Sequence, residues 1–106
     1  MILATGNTTT NGQISLGSPT TSVLVQYIHV VATQTEANAT VTLFKTNNST
    51  AQSNKVCIVS VPADQLAYSE IYGHDSESGI LFQNGMSLVT GSNVSWSNIG
   101  YRLSKA

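Results

Sequence analysis

Charged side chains are scarce in this sequence. Four basic and five acidic residues make up 8% of the 106 residues, whereas a typical soluble domain carries about 25%. The basic residues are spread along the chain and the net charge is −1, so they cannot form the stripe that neutralises nucleic-acid phosphates. We therefore expect no nucleic-acid partner.

Cysteine and long apolar runs are equally scarce. Cys57 stands alone, which excludes an internal disulfide and a cysteine-based zinc site. Because it lies inside the apolar run 56–59, we expect it to be a small buried hydrophobe. The longest apolar run is too short for a transmembrane helix, so no membrane partner is expected. The N-terminus has neither the basic segment nor the apolar stretch of a signal peptide.

The polarity of the chain comes from uncharged side chains instead, namely 14 Ser, 13 Thr and 9 Asn. Such residues keep a surface hydrated without repelling neighbouring molecules, which favours assembly with copies of the same chain or with a partner. The alternative is a soluble monomer whose uncharged polar surface binds no partner. A length of 106 residues is that of one ordinary domain.

The dominant hydrophobic period is two, which is the side-chain alternation of a β-strand. The strongest predicted strand covers residues 22–32. Within it, Val23, Val25, Tyr27 and Val31 are expected on one face, and Leu24, Ile28 and Val30 on the other. His29 is expected on the first face as a partly buried, hydrogen-bonded side chain rather than a ligand.

Further strands are predicted on both sides of several turn signals. Residues 39–45 alternate clearly, with Ala39, Val41 and Leu43 on one face. Pro62 ends a strand over residues 55–61, since proline cannot donate to a β-ladder. A weaker strand is predicted over 66–72, and the last strands carry alternating apolar residues between Val94 and Leu103.

The dipeptide Asn84-Gly85 lies between two apolar segments within residues 79–90. Because Asn-Gly tolerates the positive φ angles of a tight turn, it predicts a β-hairpin there. Short strands separated by turns about every 8–12 residues are typical of an antiparallel β-sandwich or barrel. We predict an all-β fold of about eight short strands, with one domain over residues 12–106 and an N-terminal arm over residues 1–11.

The arm begins with an apolar tip that contains Ile2 and Leu3. The Thr/Asn/Gly-rich stretch 7–12 separates this tip from the domain. Chain ends fray unless they are tied down, so two outcomes are open. The tip adds to an edge strand of its own domain, or it adds to the sheet of a neighbouring molecule, which makes Ile2 and Leu3 candidate interface residues.

The sequence contains no recognisable catalytic motif, and we expect neither an enzyme nor a cofactor. One cluster of possible metal ligands lies in residues 70–77: Glu70, His74, Asp75 and Glu77. Its spacing matches no established metal-binding loop, so a solvated loop is the expected outcome and no metal site is predicted. Nearby, Tyr68, Ile71 and Tyr72 are predicted interface residues. The aromatic residues Tyr68, Tyr72, Trp96 and Tyr101 offer sugar stacking as an alternative to core or interface packing.

The second half of the chain carries a recognisable succession of segments. An apolar strand Val56-Cys-Ile-Val-Ser-Val61 leads to Pro62. A segment Gly79-Ile-Leu-Phe-Gln-Asn-Gly-Met86 then precedes a strand, a Gly/Ser/Thr/Asn loop and a terminal strand with Tyr101. This arrangement, together with the strand 22–32 and the segment Ala39-Thr-Val-Thr-Leu-Phe44, resembles small virion proteins of tailed bacteriophages over roughly residues 12–103.

The resemblance implies a jelly-roll-like β-sandwich and a non-enzymatic role in the virion. The implied function is that of a capsid decoration (cement) protein, which binds the outer surface of the assembled major capsid protein and stabilises it. The protein would then be made in the cytoplasm of a bacterial host and reside on the capsid exterior, as a homo-oligomer. The alternative is a receptor- or glycan-binding module of a head or tail fibre.

Overall fold

The computed structural model describes residues 2–8, 12–18, 20–35, 38–46, 52–62, 64–73 and 78–105. These residues form nine strands and one turn of 3-10 helix at Gln52–Asn54. The strands are β1 Ile2–Thr8, β2 Gln13–Leu16, β3 Thr21–Ala32, β4 Thr40–Phe44, β5 Lys55–Ser60, β6 Ala67–Ile71, β7 Ile80–Phe82, β8 Met86–Thr90 and β9 Val94–Lys105. Within this described part of the chain, no helix has the length and hydrophobicity needed to cross a bilayer.

The strands form two antiparallel sheets that pack face to face. Sheet A has the order β1-β9-β3-β6. The short strand β7 pairs with the same edge of β3 as β6 does, but with residues 23–25 instead of 27–31. Sheet B has the order β2-β8-β4-β5. The prediction of an all-β antiparallel sandwich is confirmed, with nine strands where about eight were expected.

The core lies between the two sheets and follows from the period-two pattern. In β4, Val41 and Leu43 are fully buried while Thr40 and Thr42 are half-buried on the other face, as predicted. The inward side chains of both sheets form one apolar cluster. Its most deeply buried members are Val23, Val25, Ile28, Val30, Val41, Leu43, Met86, Leu88, Val94 and Ile99.

The predicted faces of β3 are partly wrong, because the strand contains a β-bulge. Val25 pairs with Tyr101 and Tyr27 pairs with Gly100, so Gln26 is an extra residue opposite β9. The extra residue reverses the alternation at that point. Val23 and Val25 therefore share the core face with Ile28 and Val30, whereas Tyr27, His29 and Val31 point away from the core.

The N-terminal segment pairs within its own chain. All of β1 runs antiparallel to β9, from the pair Ile2 and Leu103 to the pair Thr8 and Ser97. Of the two outcomes open from the sequence, the structure has the local one. The predicted arm, residues 1–11, thus contributes the edge strand of sheet A that lies beside β2 of sheet B.

The predicted hairpin at Asn84-Gly85 is wrong. Phe82 in β7 pairs with Val23 in sheet A, whereas Met86 in β8 pairs with Leu16 in sheet B. The chain therefore crosses from one sheet to the other at this dipeptide instead of folding back on itself. Gly85 still has a positive φ of 79°, which explains the glycine at the crossing.

Candidate functional site

One side edge of the sandwich, formed by β5 of sheet B and by β6 and β7 of sheet A, is open. In the described residues, β5 pairs only with β4, and both β6 and β7 pair only with β3. The outer backbone N–H and C=O groups of such edge strands are available to another chain. We call this region the open edge.

Exposed apolar side chains concentrate along the open edge. The described residues include six exposed large hydrophobic side chains, and five of them lie on β5, on β7 or at the two ends of β6. They are exposed by between 46% and 63%, and we call them the apolar rim: Val56, Ile58, Leu66, Ile71 and Leu81. By the strand registers, Ile58 points to the outside of sheet B, whereas Ile71 and Leu81 point to the outside of sheet A, so the rim flanks the edge on both faces. Exposed apolar residues scattered singly are ordinary, but their concentration along one edge favours a binding surface.

A cleft with a volume of about 370 Å³ runs between the two sheets at the open edge. Its lining residues come from β5, β6, the end of β6 and β7: Cys57, Ile58, Val59, Ser60, Tyr68, Glu70, Tyr72 and Ile80. A second depression of about 380 Å³ lies beside Val56 and Leu81 of the rim. The open edge therefore combines unpaired backbone, apolar side chains and concave surface.

The register of β6 explains which side chains enter the cleft. Tyr68 pairs with Val30 and Glu70 with Ile28, and both partners are fully buried core residues of β3. Because side chains of paired residues point to the same face of a sheet, Tyr68 and Glu70 face sheet B. Ile71 pairs with Tyr27 and points outward, where 63% of it is exposed.

The end of β6 is fixed by the bulge residue of β3. The carbonyl oxygen of Gln26 accepts hydrogen bonds from the backbone N–H groups of Tyr72 (2.7 Å) and Gly73 (3.2 Å). Beyond them, Nε2 of Gln26 donates to the carbonyl oxygen of Ser78 at 3.2 Å. Gln26 thus positions Tyr72 and the approach to β7, both on the sheet A side of the cleft.

Four titratable groups interact inside the cleft. The hydroxyl of Tyr68 donates a hydrogen bond to Oε2 of Glu70, and this bond raises the pKa of Tyr68. Burial, with smaller contributions from Cys57 and Glu70, raises the pKa of Tyr72 to about 12. Burial and then the charge of Glu70 raise the pKa of Cys57. The raised pKa values keep the thiol and both phenols protonated at neutral pH.

The structure divides the five predicted interface residues between two edges. Tyr68 and Tyr72 line the cleft, and Ile71 belongs to the apolar rim. Ile2 and Leu3 pair with Leu103 and Arg102 at the opposite edge of sheet A, and their side chains lie outside the described residues. The structure therefore brings three of the predicted residues together and separates the other two.

The possible metal ligands of residues 70–77 are not brought into a described site. His74, Asp75 and Glu77 lie outside the described residues, while Glu70 lines the cleft. Among the side chains that are described, no three His, Cys, Asp or Glu residues are arranged to hold a metal ion. Cys57, expected to be buried, is only half-buried on the edge strand β5.

The outer face of sheet A carries a small aromatic group. The bulge at Ser95 points Trp96 outward although Val94, two residues earlier, is fully buried. The rings of Trp96 and His29 meet edge to face with centroids 5.5 Å apart. Nδ1 of His29 lies 2.5 Å from Oγ of Ser69, so the predicted partly buried, hydrogen-bonded histidine is confirmed.

Sequence reasoning did not single out Glu70 as the charged residue of a cleft. The available signal was the alternation of Tyr68, Glu70 and Tyr72, which places three residues on one face of a strand. It did not show that this face borders β5, because that depends on the pairing of β6 with β3.

Comparison with solved structures identifies the class of fold. The chain is similar to the nucleoplasmin-like N-terminal domain of Drosophila FKBP39, with a TM-score of 0.55 and 11% identity over 99% of this chain and 91% of that one. It is also similar to a protein of the Bacillus endospore appendages, which form disulfide-linked pili. That match has a TM-score of 0.41 and 6% identity, over 95% of this chain and 85% of the other. No protein-family model and no curated protein matches the chain.

The first similarity concerns the fold alone, since the identity is so low. It supports a jelly-roll β-sandwich, which confirms the predicted fold class. The resemblance to phage virion proteins stays a prediction.

Proposed function

We propose that this chain is a non-enzymatic structural protein that attaches to a repeated protein surface through its open edge. The surface that we propose is the outside of an assembled bacteriophage capsid, where the chain acts as a decoration protein. The observation that carries attachment is the concentration of exposed apolar side chains, among the described residues, at an edge where a cleft and edge strands meet. The phage capsid as the partner comes from the sequence resemblance.

The physical reason is that the open edge offers two kinds of interaction at once. A partner strand that pairs with β5 or β6 gains main-chain hydrogen bonds, while its side chains cover the apolar rim. Burying apolar surface contributes roughly 25 cal/mol per Å². The low charge of the chain reduces the desolvation that such contact requires.

Stabilisation of a capsid follows from mass action. A protein that binds the assembled lattice but not the free subunits shifts the equilibrium toward the lattice, by about 2.7 kcal/mol per site when its concentration is 100 times the Kd. No chemical step is required for this function.

The raised pKa values of the cleft residues support a non-enzymatic role. A nucleophilic cysteine or tyrosine needs a lowered pKa or an adjacent base. The pKa values of Cys57 and Tyr72 are raised instead, chiefly by burial. Both groups are therefore poor nucleophiles at neutral pH.

The test is co-sedimentation of purified variants with capsids of the phage that encodes the chain. Ile58→Lys and Ile71→Lys alter the exposed rim, and we expect each to weaken binding about tenfold or more while the fold is kept. Ser15→Lys is the matched control, because Ser15 is exposed on β2 at the other edge of sheet B. Rim variants that bind as well as the control would exclude the open edge.

The number of copies per virion separates decoration from a fibre. A decoration protein is present in hundreds of copies, whereas a fibre or tail component is present in a dozen or fewer. Quantitative gel analysis against the major capsid protein measures this number.

A second candidate function, glycan binding, is favoured by Trp96. Trp96 is 39% exposed on the outer face of sheet A, and its ring contacts that of His29. Close to it, Nδ2 of Asn98 donates to Oδ1 of Asn7 at 2.5 Å, so amide groups border the aromatic surface. Binding to a glycan array tests this function. If Trp96→Ala abolishes glycan binding and Ile71→Lys leaves it intact, the glycan function is favoured over attachment through the open edge.

A further inference from the structure

The cleft at the open edge contains one carboxylate and no described basic residue. Glu70 is the charged member of its described lining, which otherwise consists of apolar, hydroxyl and thiol side chains. The contact that the structure gives for the Glu70 carboxylate is the hydrogen bond from the Tyr68 hydroxyl. That bond orients the Glu70 carboxylate, but a neutral hydroxyl does not cancel its formal charge.

Aromatic residues lie on both sides of this charge. Tyr68 and Tyr72 are each two positions from Glu70 along an extended chain, so each is about 7 Å away along the strand direction. The faces of phenol rings attract cations. On the opposite wall, formed by β5, the inward-facing side chains include Val59 and Cys57, which pair with the buried Val41 and Leu43. Such weakly polar side chains strengthen charge interactions by lowering the local dielectric.

The size and position of the cleft restrict what can occupy it. Its volume of about 370 Å³ is at the lower end of ligand sites, which span about 300–1,000 Å³. A single carboxylate supplies too few oxygen ligands for a Ca²⁺ site. Because the cleft opens between two edge strands, an occupant that is part of an extended chain can pair with the edge and enter the cleft together.

We propose that the Glu70 cleft binds the ammonium or guanidinium group of a Lys or Arg side chain carried by the partner segment that docks on the open edge. This inference rests on the proposed function, because it names the chemistry of the segment that attaches there. The basic group lies against Glu70, between Tyr68 and Tyr72, while its aliphatic stem contacts Val59 and Cys57. The apolar rim supplies adhesion, and the cleft selects partner segments with a basic residue at one position.

The test uses small probes and needs no capsid. Nα-acetyl-L-lysine amide and its uncharged counterpart Nα-acetyl-L-norleucine amide are titrated into the ¹⁵N-labelled protein, and backbone amide shifts in β5 and β6 are followed. We expect saturable shifts with the lysine probe and about tenfold weaker binding of the norleucine probe, the size of effect that a charge contact of this kind gives.

Two variants check the assignment. Glu70→Gln keeps the size of the side chain and an oxygen for the Tyr68 hydroxyl, and we expect it to lose the preference for lysine. Ser15→Lys, on β2 at the other edge of sheet B, is the control and is expected to retain that preference. The dispersion of the same spectra shows whether each variant is folded. Equal binding of the two probes by the wild type, or an unchanged preference in Glu70→Gln, would overturn the inference.

The experiments distinguish failure of the cation site from failure of the proposed attachment. If the lysine preference is absent while Ile71→Lys abolishes capsid binding, the cation site is wrong and the attachment stands. If the preference is present while capsids do not bind, the attachment is wrong. Sedimentation velocity identifies a third outcome: self-association that Glu70→Gln abolishes would make the occupant a second copy of the chain and overturn the partner segment.

Discussion

Nε of Arg102 donates a 2.9 Å hydrogen bond to Oε1 of Gln26, and this contact joins β9 to the bulge of β3. Gln26 is 4% exposed and its backbone carbonyl and side-chain amide also hold Tyr72 and Ser78. One buried residue, through its backbone and its side chain, therefore connects the centre of sheet A to the end of β6 and to the approach to β7. We regard Gln26 as the residue that sets the geometry of the cleft.

Replacing Gln26 by Ala tests this role. The substitution removes the hydrogen bonds to Arg102 and Ser78 and leaves their polar groups without these partners. We expect the free energy of unfolding to fall by about 1–3 kcal/mol, measured by urea denaturation.

Gln26→Glu is the matched variant. It keeps an oxygen for Arg102 but loses the donor to Ser78, so an intermediate loss of stability is expected. A full-length Gln26→Ala protein with an unchanged urea midpoint would contradict the role assigned to the bulge.

The bulge in β3 also shows which features of the fold can be predicted from the sequence and which cannot. The strand at Thr40–Phe44 was predictable because its alternation is regular and one face is apolar throughout. In β3 the residues 23–31 are apolar on both faces, so the sequence offers no contrast that would reveal where the extra residue lies. The faces assigned to Val23 and Val25 were therefore wrong, although the strand itself was predicted correctly.

The site depends on the same kind of information. Tyr68, Ile71 and Tyr72 could be selected from their aromatic and apolar character on a polar background. The cleft could not be predicted, because it forms only when β6 and β7 lie opposite β5. The Asn84-Gly85 dipeptide favours a turn in general, but local chemistry does not determine whether the next strand joins the same sheet or the other one.

The contact between Tyr27 and Gly100 on the outer face of sheet A gives another prediction. A Cβ atom placed on Gly100 would lie 2.0 Å from Cε2 of the Tyr27 ring, so the ring covers the glycine in the neighbouring strand. Gly100→Ala forces the ring away, and we expect a loss of stability of about 1–3 kcal/mol, as in other overpacked sites.

A double-mutant cycle checks this explanation. In a Tyr27→Ala background the ring is gone, so Gly100→Ala is expected to cost clearly less than in the wild type. The difference between the two costs is the coupling energy of the pair, and urea unfolding of the four proteins gives it. Equal costs in both backgrounds would show that the ring does not restrict position 100.

The raised pKa of Tyr72 predicts a loss of stability at alkaline pH. Burial, followed by the neighbouring Cys57 and Glu70, raises this pKa to about 12 in the folded protein, whereas an unfolded tyrosine has a pKa near 10. Between about pH 10 and 12 the unfolded state therefore binds fewer protons than the folded state, and the free energy of unfolding falls as the pH rises. Below pH 10 both states keep the proton, so the contribution of Tyr72 is constant there.

Tyr72→Phe isolates this contribution, because it keeps the ring and removes the ionisable group. We expect the wild type to lose more stability than Tyr72→Phe between pH 8 and pH 11, as measured by urea unfolding at both values. The raised pKa values of Cys57 and Tyr68 act in the same direction in both proteins, so comparing the two losses separates the effect of Tyr72 from theirs. Identical losses in the two proteins would mean that the phenol of Tyr72 is not held in the cleft between β5 and β6.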